Sequence, residues 1–429
     1  MKPQTMIQKL KDGAFDETFR LLYGDSAEMI SYQRKRYTET AENFMKQFPE
    51  RDEIHIYSAS GRTEIGGNHT DHQHGCVLAA AVNLDVIAVV SFHNDGIIRL
   101  KSKGYPQDNV ELSDLSVHEN EKGKSSSIIR GIANKFAETG VKIGGFDAYT
   151  TSDVLSGSGL SSSAAFEVLV GTIIDKYYND GKAGAVEIAK TGQYAENVYF
   201  GKGSGLMDQM VSSVGGFVFI DFLDTTDPKI ERHTFDFSGA GFCICITDTK
   251  GSHSDLTDDY VSVPEEMRKV AAYFGKDYLR QVDEDKFYKA VPELRKICTD
   301  RAILRASHFF GENDRAVLEA ESLEDGDTER FFRLVRESGD SSANLLQNLY
   351  SCRKPAEQGI PLAIMMSRRY LGESGAVRVH GGGFAGTIQA FVPSDRAEGY
   401  ADEMNRIFGE GSCYILRIRP VGGIEITAD

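Results

Sequence analysis

Residues 154–168 carry the densest chemistry in the chain: Val-Leu-Ser-Gly-Ser-Gly-Leu-Ser-Ser-Ser-Ala-Ala-Phe-Glu-Val. Gly157 and Gly159 let the backbone turn tightly with no Cβ in the way. Ser161, Ser162 and Ser163 stand where a helix should begin, and serine is a favoured N-cap. A helix N-terminus offers free N–H groups and a positive dipole end, both suited to a phosphate. The hydroxyls add hydrogen bonds, and one of them can ligate Mg²⁺. The segment has neither the Gly-Lys-Ser/Thr of a Walker loop nor a G-x-G-x-x-G dinucleotide fingerprint. A capped helix after a flexible turn is the plain alternative.

Three further clusters add to it. Residues 59–75 read Ala-Ser-Gly-Arg-Thr-Glu-Ile-Gly-Gly-Asn-His-Thr-Asp-His-Gln-His-Gly. His69, Asp71, His72 and His74 invite a metal reading, but their spacing fits no standard ligand pattern. Arg, Asn, His and Asp beside glycines suit a carbohydrate better. Adjacent hydroxyls need paired donors and acceptors, and a carboxylate such as Asp71 can take two at once. A polar turn after a strand is the alternative there. Residues 201–216, Gly-Lys-Gly-Ser-Gly-Leu-Met-Asp-Gln-Met-Val-Ser-Ser-Val-Gly-Gly, place Asp208 in a glycine-flanked polar turn. Residues 378–386, Arg-Val-His-Gly-Gly-Gly-Phe-Ala-Gly, hold four glycines in six positions, a run that regular strands and helices avoid.

The elements that position these clusters can be read from periodicity. Ile54–Ala59, Val86–Phe92, Gly216–Phe222 and Phe242–Ile246 read as strands. Ile128–Thr139, Ser162–Tyr178 and Val186–Phe200 read as helices. A helical block follows near Glu265–Phe274, Arg301–Ala320 and Thr328–Glu337. Strands return near Ala376–Val379 and Thr387–Val392, then a helix near Asp395–Phe408 and a strand near Ser412–Ile418. The order suggests two α+β lobes with a boundary near residue 235, that is 1–235 and 236–429.

The bulk numbers agree with an enzyme of this size. The chain has 429 residues, 41% hydrophobic and 26% charged, which is globular and long enough for two domains. A formal charge of -16 speaks against nonspecific nucleic-acid or anionic-membrane binding, and if the phosphate ligand is ATP, Mg²⁺ is expected to supply much of the missing positive charge. The N-terminus has no apolar core of signal-peptide length. The longest apolar stretch, Cys76–Phe92, is broken by Asn83 and Asp85 and falls short of a span. Six scattered cysteines with no CxxC pair suggest reduced thiols and a cytoplasmic location.

Taken together, the clusters resemble the motifs of the galactokinases, in the GHMP kinase superfamily (galacto-, homoserine, mevalonate and phosphomevalonate kinases). Gly159 to Ala164 match the second motif, Pro-x-x-x-Gly-Leu-x-Ser-Ser-Ala, with Leu155 in place of the proline. Gly61, Arg62, Gly67, His69, Thr70 and Asp71 match the first, with Asn68 for the Glu that faces the sugar's C6 hydroxyl and Glu64 for an Asn. Gly205, Met207, Asp208 and Gln209 match the Gly-x-Met-Asp-Gln segment. The run at 381–386 resembles the third motif, with His380 for Thr and Ala385 for Gly. Tyr260 resembles the tyrosine near the sugar, without the Arg pair that often follows. The segment Arg305 to Arg315 resembles a galactokinase helix of no direct catalytic role.

The resemblance implies a two-lobed fold, with an N-terminal lobe like ribosomal protein S5 and a ferredoxin-like C-terminal lobe. It implies ATP-dependent phosphorylation of a sugar at its C1 hydroxyl by a cytoplasmic monomer. Asp208 and Arg62 would be catalytic, with Arg62 keeping the Asp208 carboxyl ionised. Asn68, His69, Asp71, Gly205 and Tyr260 would hold the sugar. Gly157, Ser158, Gly159, Leu160, Ser161, Ser162 and Ser163 would hold ATP, and Ser163 with Glu196 would ligate Mg²⁺. The third motif would lie against the nucleotide phosphates and the first motif. Galactose is the expected substrate. Asn68 no longer repels an acid at C6, which leaves galacturonate or another C6- or C2-modified galacto-sugar as an alternative. A galactose sensor without catalysis is a second alternative, disfavoured by the intact Gly159–Ala164 segment.

Overall fold

The computed structural model describes residues 1–154, 159–251 and 256–428. In chain order the first half runs α1 (Pro3–Asp12), α2 (Asp16–Tyr23), α3 (Ala27–Gln47), β1 (His55–Gly66), β2 (Cys76–Phe92), β3 (Ile97–Ser102) and β4 (Gln107–Glu111). It continues with α4 (Ser125–Glu138), β5 (Phe146–Ser152), α5 (Ser162–Tyr178), α6 (Gly184–Tyr194), a π-helical turn over Ala195–Phe200, and α7 (Met207–Val214). The second half runs β6 (Phe217–Asp221), β7 (Lys229–His233), β8 (Phe242–Asp248), α8 (Thr257–Tyr273), α9 (Glu284–Leu294), α10 (Asp300–Glu324) and α11 (Thr328–Ser341). It ends with α12 (Gly359–Leu371), β9 (Ala376–Val379), β10 (Thr387–Pro393), α13 (Ala397–Phe408), β11 (Cys413–Leu416) and β12 (Ile424–Glu425).

Contacts divide the chain into two compact units. One comprises Met1–Arg62, Ala81–Gly216 and Arg419–Asp429; the other comprises Thr63–Ala80 and Phe217–Ile418. In the first unit the strand order is β12-β1-β2-β5-β3-β4. The β3–β5 pair is parallel, with Ile98 beside Phe146, whereas β2–β5 and β3–β4 are antiparallel. Helices α1–α3 pack Met6, Leu10, Phe15, Phe19, Tyr37 and Phe44 onto Ile54, Ile56, Ile87 and Val89. Asp85, which interrupts the apolar run in the sequence, is fully buried and paired. It accepts from Arg36 Nη1 at 2.7 Å, Arg419 Nη1 at 3.0 Å and Tyr23 Oη at 2.5 Å, so the ion is stable only as part of that network. Arg419 Nη1 also donates to Ser58 Oγ of β1 at 2.7 Å, which ties the C-terminal segment to this sheet.

In the second unit a four-stranded antiparallel sheet, β11-β8-β10-β9, packs against α12 and α13 around Ile360, Ala363, Val377, Ile388 and Tyr400. Beside it α8, α9 and α10 enclose a core of Val263, Met267, Phe287, Phe309 and Phe310. Residues Cys76–Ala80 of β2 pair antiparallel with β6, and β6 with β7.

Several boundaries differ from the sequence reading. Ile54–Ala59 extends to a strand that includes Gly61 to Gly66, so half of the first motif is strand rather than turn. The strand expected at Val86–Phe92 starts ten residues earlier, at Cys76, because Asn83 and Asp85 are accommodated inside the sheet. Val186–Phe200 is an α-helix that ends in a π-turn. Asp208 lies in the first turn of α7, not in a loop. The structure adds elements that the sequence reading lacks: helices α1–α3, α7, α9 and α12 and strands β3, β4, β5, β7 and β12.

Candidate active site

In the first unit, Gly61 and Arg62 of β1 run beside the second motif. Arg62 N donates to Leu160 O at 3.1 Å, and a Cβ at Gly61 would stand 2.9 Å from that oxygen. Leu160 is buried and anchors the loop. The Arg62 side chain then forks onto Asp208, Nε to Oδ1 and Nη2 to Oδ2, each at 2.8 Å. Its Nη1 donates to Gly159 O at 2.5 Å. The Ser161 hydroxyl donates to Asp208 Oδ2 as well. Ser161 takes the N-cap position of α5 in a left-handed conformation (φ 57°) and makes no capping bond. A serine held there is strained, and its hydroxyl goes to Asp208 rather than to the helix. The first-turn N–H groups of α5 therefore stay available to an anion.

Burial pushes the Asp208 carboxyl up, but the Arg62 charge and hydrogen bonds, the Ser161 hydroxyl and the Lys202 charge outweigh it. The carboxyl is held below the usual carboxylate range. Its place in the first turn of α7 favours the anion further.

A cavity of about 330 Å³ opens beside α5, lined among others by Ser162, Ser163, Phe166, Glu167, Ile128 and Glu196. Glu196 sits in the π-turn and is 3% exposed. It accepts from Lys202 Nζ at 2.8 Å, from Gln209 Nε2 at 3.0 Å and from the Ser204 hydroxyl. Gln209 also donates to Glu167 Oε2 at 2.8 Å, while Glu167 Oε1 is buried without a partner. Burial and the nearby Glu196 charge raise the Glu167 carboxyl to about 8. Ser163 and Glu196 thus present a hydroxyl and a carboxylate to one cavity, a hard-oxygen donor set that fits Mg²⁺. Gly157 and Ser158 lie outside the described residues; Gly159, exposed and at φ 76°, leads into Leu160.

In the second unit the first and third motifs meet. His69, itself at φ 59°, donates from Nε2 to Gly382 O at 2.9 Å, and Asn68 Nδ2 donates to Gly381 O at 2.8 Å and Glu64 Oε1 at 2.9 Å. Asn348 Nδ2 donates to Asn68 Oδ1 at 3.0 Å. Asn68 is 1% exposed and its amide is committed to these partners, so the residue braces the glycine run. Asp71 opens a short 3-10 turn and is half-buried. Tyr260 donates to Gly383 O at 2.9 Å and packs edge-on against Phe384. Gly205 is exposed just before α7, in the first unit. Among the described residues no three His, Cys, Asp or Glu side chains are grouped to hold a metal, and His74 stacks on Tyr278 instead.

The helix read as a bystander supports the sugar motif directly. From α10, His308 Nε2 donates to Asn68 O at 2.9 Å, Glu312 Oε1 accepts from Asn68 N at 3.2 Å, and Asn313 Oδ1 accepts from Cys76 N at 3.0 Å. Burial lowers His308 to about 4, so it is the neutral donor this contact needs. Burial pushes Glu312 up, but Arg315, His308, Arg378 and Ser338 prevail and leave it at about 2. The i, i+4 spacing of His308 and Glu312 on one helix is the sequence signal for this face.

Two family models match the chain: one described as the galactokinase galactose-binding signature, over residues 42–92, and one described as the GHMP kinases N terminal domain, over residues 127–216. Among solved structures, the fold is similar to that of Lactococcus lactis galactokinase complexed with galactose, at 21% identity and TM-score 0.76, covering 91% of this chain and 99% of that one. It is also similar to Methanococcus jannaschii mevalonate kinase, at 15% identity and TM-score 0.58, covering 85% and 98%. Streptococcus pneumoniae phosphomevalonate kinase in complex with phosphomevalonate and AMPPNP matches at 12% and 0.55, covering 86% and 99%. At these identities the structures speak to the fold, which is that of the GHMP kinases. The galactose-binding signature covers Arg62, Asn68, His69 and Asp71, and the GHMP N-terminal model covers Ser161–Ser163, Glu196 and Asp208.

Proposed function

We propose that this kinase transfers the γ-phosphate of ATP to the anomeric C1 hydroxyl of galactose. The observation that carries the reading is the Asp208 carboxylate, fixed by the Arg62 fork and the Ser161 hydroxyl at the start of α7. Phosphoryl transfer needs an oriented hydroxyl and stabilised charge more than covalent chemistry. Asp208 accepts the hydrogen bond of the C1 hydroxyl and orients it, and takes its proton as the bond to phosphorus forms. Arg62 stabilises the transferring phosphoryl group. Ser161, Ser162 and Ser163 with the α5 N-terminus hold the phosphates, and the cavity beside Ile128 and Phe166 takes the base. Ser163 and Glu196 would hold Mg²⁺, which supplies charge neutralisation on the phosphates.

His69 and Asp71 would hold the galactose ring, with Tyr260 and the Gly205 backbone, and Asn68 would act by holding the loop that carries His69. With the Asn68 amide committed to Glu64 and Gly381, a C6-acid sugar is not favoured, and the Arg62 fork on Asp208 disfavours a non-catalytic sensor. A monomer with lobes 1–235 and 236–429 completes the proposal. The test is ADP release from ATP with galactose, galacturonate and N-acetylgalactosamine, on the wild type and on Asp208→Ala. Galactose should be turned over best and the variant should lose turnover while still binding ATP. Unimpaired turnover by Asp208→Ala would refute the assignment.

A further inference from the structure

Lys202 is not needed to hold its own loop. The segment Gly201–Gly205 is pinned by Ser204, whose N donates to Asn197 Oδ1 at 2.7 Å and whose O accepts from Gln193 Nε2 at 3.1 Å and Asn197 Nδ2 at 3.3 Å. The Lys202 ammonium nevertheless sits 2.8 Å from Glu196 Oε1, on a side chain that is 59% exposed, against a carboxylate that is almost wholly buried. Glu196 lines the cavity beside Ser162 and Ser163. Its other oxygen is taken by Gln209 and Ser204, so the oxygen under Lys202 is the one open to exchange.

A divalent cation and an ammonium cannot share one carboxylate oxygen, because like charges at contact repel strongly in a buried setting. The lysine is the partner able to leave: its head is solvated, its four-carbon stem is flexible, and the loop beneath it stays in place. We propose that Lys202 is a positioning residue for the phosphates. It occupies Glu196 in the empty enzyme as a stand-in for the metal, and moves onto the nucleotide phosphate oxygens when the divalent cation takes the carboxylate. The buried Glu196 is thus paired in both states, and one positive charge is delivered to the phosphates without a further residue.

This rests on the assignment of Ser163 and Glu196 to the metal, and the experiment separates the two. Mn²⁺ binding is followed by electron paramagnetic resonance on the full chain, with and without ATP, for wild type, Lys202→Met, Lys202→Arg and Glu196→Gln. Without nucleotide, Lys202→Met should bind Mn²⁺ about tenfold more tightly, the scale of one charge-assisted contact removed from competition. With ATP present it should bind Mn·ATP several-fold more weakly, and Lys202→Arg should resemble the wild type. If Lys202→Met binds Mn²⁺ like the wild type while Glu196→Gln loses it, the exchange is overturned and the metal assignment stands. If Glu196→Gln binds Mn·ATP as well as the wild type, the metal assignment fails and the exchange with it.

Discussion

Replacing Arg62 with Met removes the fork on Asp208 while keeping much of the stem's bulk. The two bonds lost are both 2.8 Å and charge-assisted, each worth about 1.5–3 kcal/mol. The Asp208 side chain is 33% exposed, so solvent screening favours the lower end, about 3 kcal/mol for the pair. At roughly 1.4 kcal/mol per decade this is about a hundredfold in kcat/KM, before any contact of Arg62 with the phosphoryl group is counted. A second effect separates positioning from general damage. Burial is the largest influence on the Asp208 carboxyl and pushes it up, and Arg62 is its main opponent. Without the guanidinium the carboxyl titrates higher, so the acid limb of kcat/KM moves to higher pH. Arg62→Lys keeps the charge but cannot make the fork, and should fall between the two. The assay is ADP release with galactose and ATP across acid to neutral pH. A loss of less than about threefold, or an acid limb that stays in place, would refute the account of Asp208 as the oriented, ionised acceptor.

Two further outcomes follow from the second unit. Glu319 is fully buried with both carboxylate oxygens unpartnered, and burial together with the Glu312 charge raises its carboxyl well above the ordinary value. The folded protein keeps the proton that the unfolded chain releases, so this group favours the fold below the unfolded pKa and loses that advantage as pH rises. Glu319→Met should therefore stabilise the protein by about 2–4 kcal/mol at neutral pH and less at about pH 5, measured by urea unfolding at both; a difference that does not change with pH would count against a neutral Glu319. Gly383 lies at φ 76°, and a Cβ there would stand 2.2 Å from Asn348 O, next to the amide that holds Asn68. Gly383→Ala should cost about 2–4 kcal/mol in thermal unfolding and raise KM for galactose more than it lowers kcat, and a wild-type melting temperature would contradict the close packing.

Much of the candidate site proposed above rests on residue type and spacing, because phosphate and sugar chemistry demand particular groups in particular order. Glycines before a serine run that opens a helix, an Arg seven residues before His-x-Asp, and Met-Asp-Gln ahead of an apolar strand are local patterns, and α5 follows Ser162–Tyr178 as its periodicity requires. The same local logic failed where burial mattered. Asn68 looks in sequence like a polar group free to meet a sugar, yet it is 1% exposed and shared among Glu64, Gly381 and Asn348. Asp85 looks like a break in an apolar run, yet Arg36, from 49 residues before it, and Arg419, from 334 after it, bury it as an ion. The Arg305–Arg315 helix carries no catalytic pattern, yet His308 and Glu312 hold the Asn68 backbone from about 240 residues away. Local sequence sets which groups are present and many of the helices and strands that carry them, since propensity, capping and period act over a few residues. Tertiary structure alone decided which polar groups are spent on one another: that Ser161 serves Asp208 rather than capping α5, that Lys202 covers Glu196, and that Asn68 braces the glycine run. Desolvation is the physical reason, because a buried donor or acceptor must find a partner, and the partner is set by the fold rather than by distance along the chain.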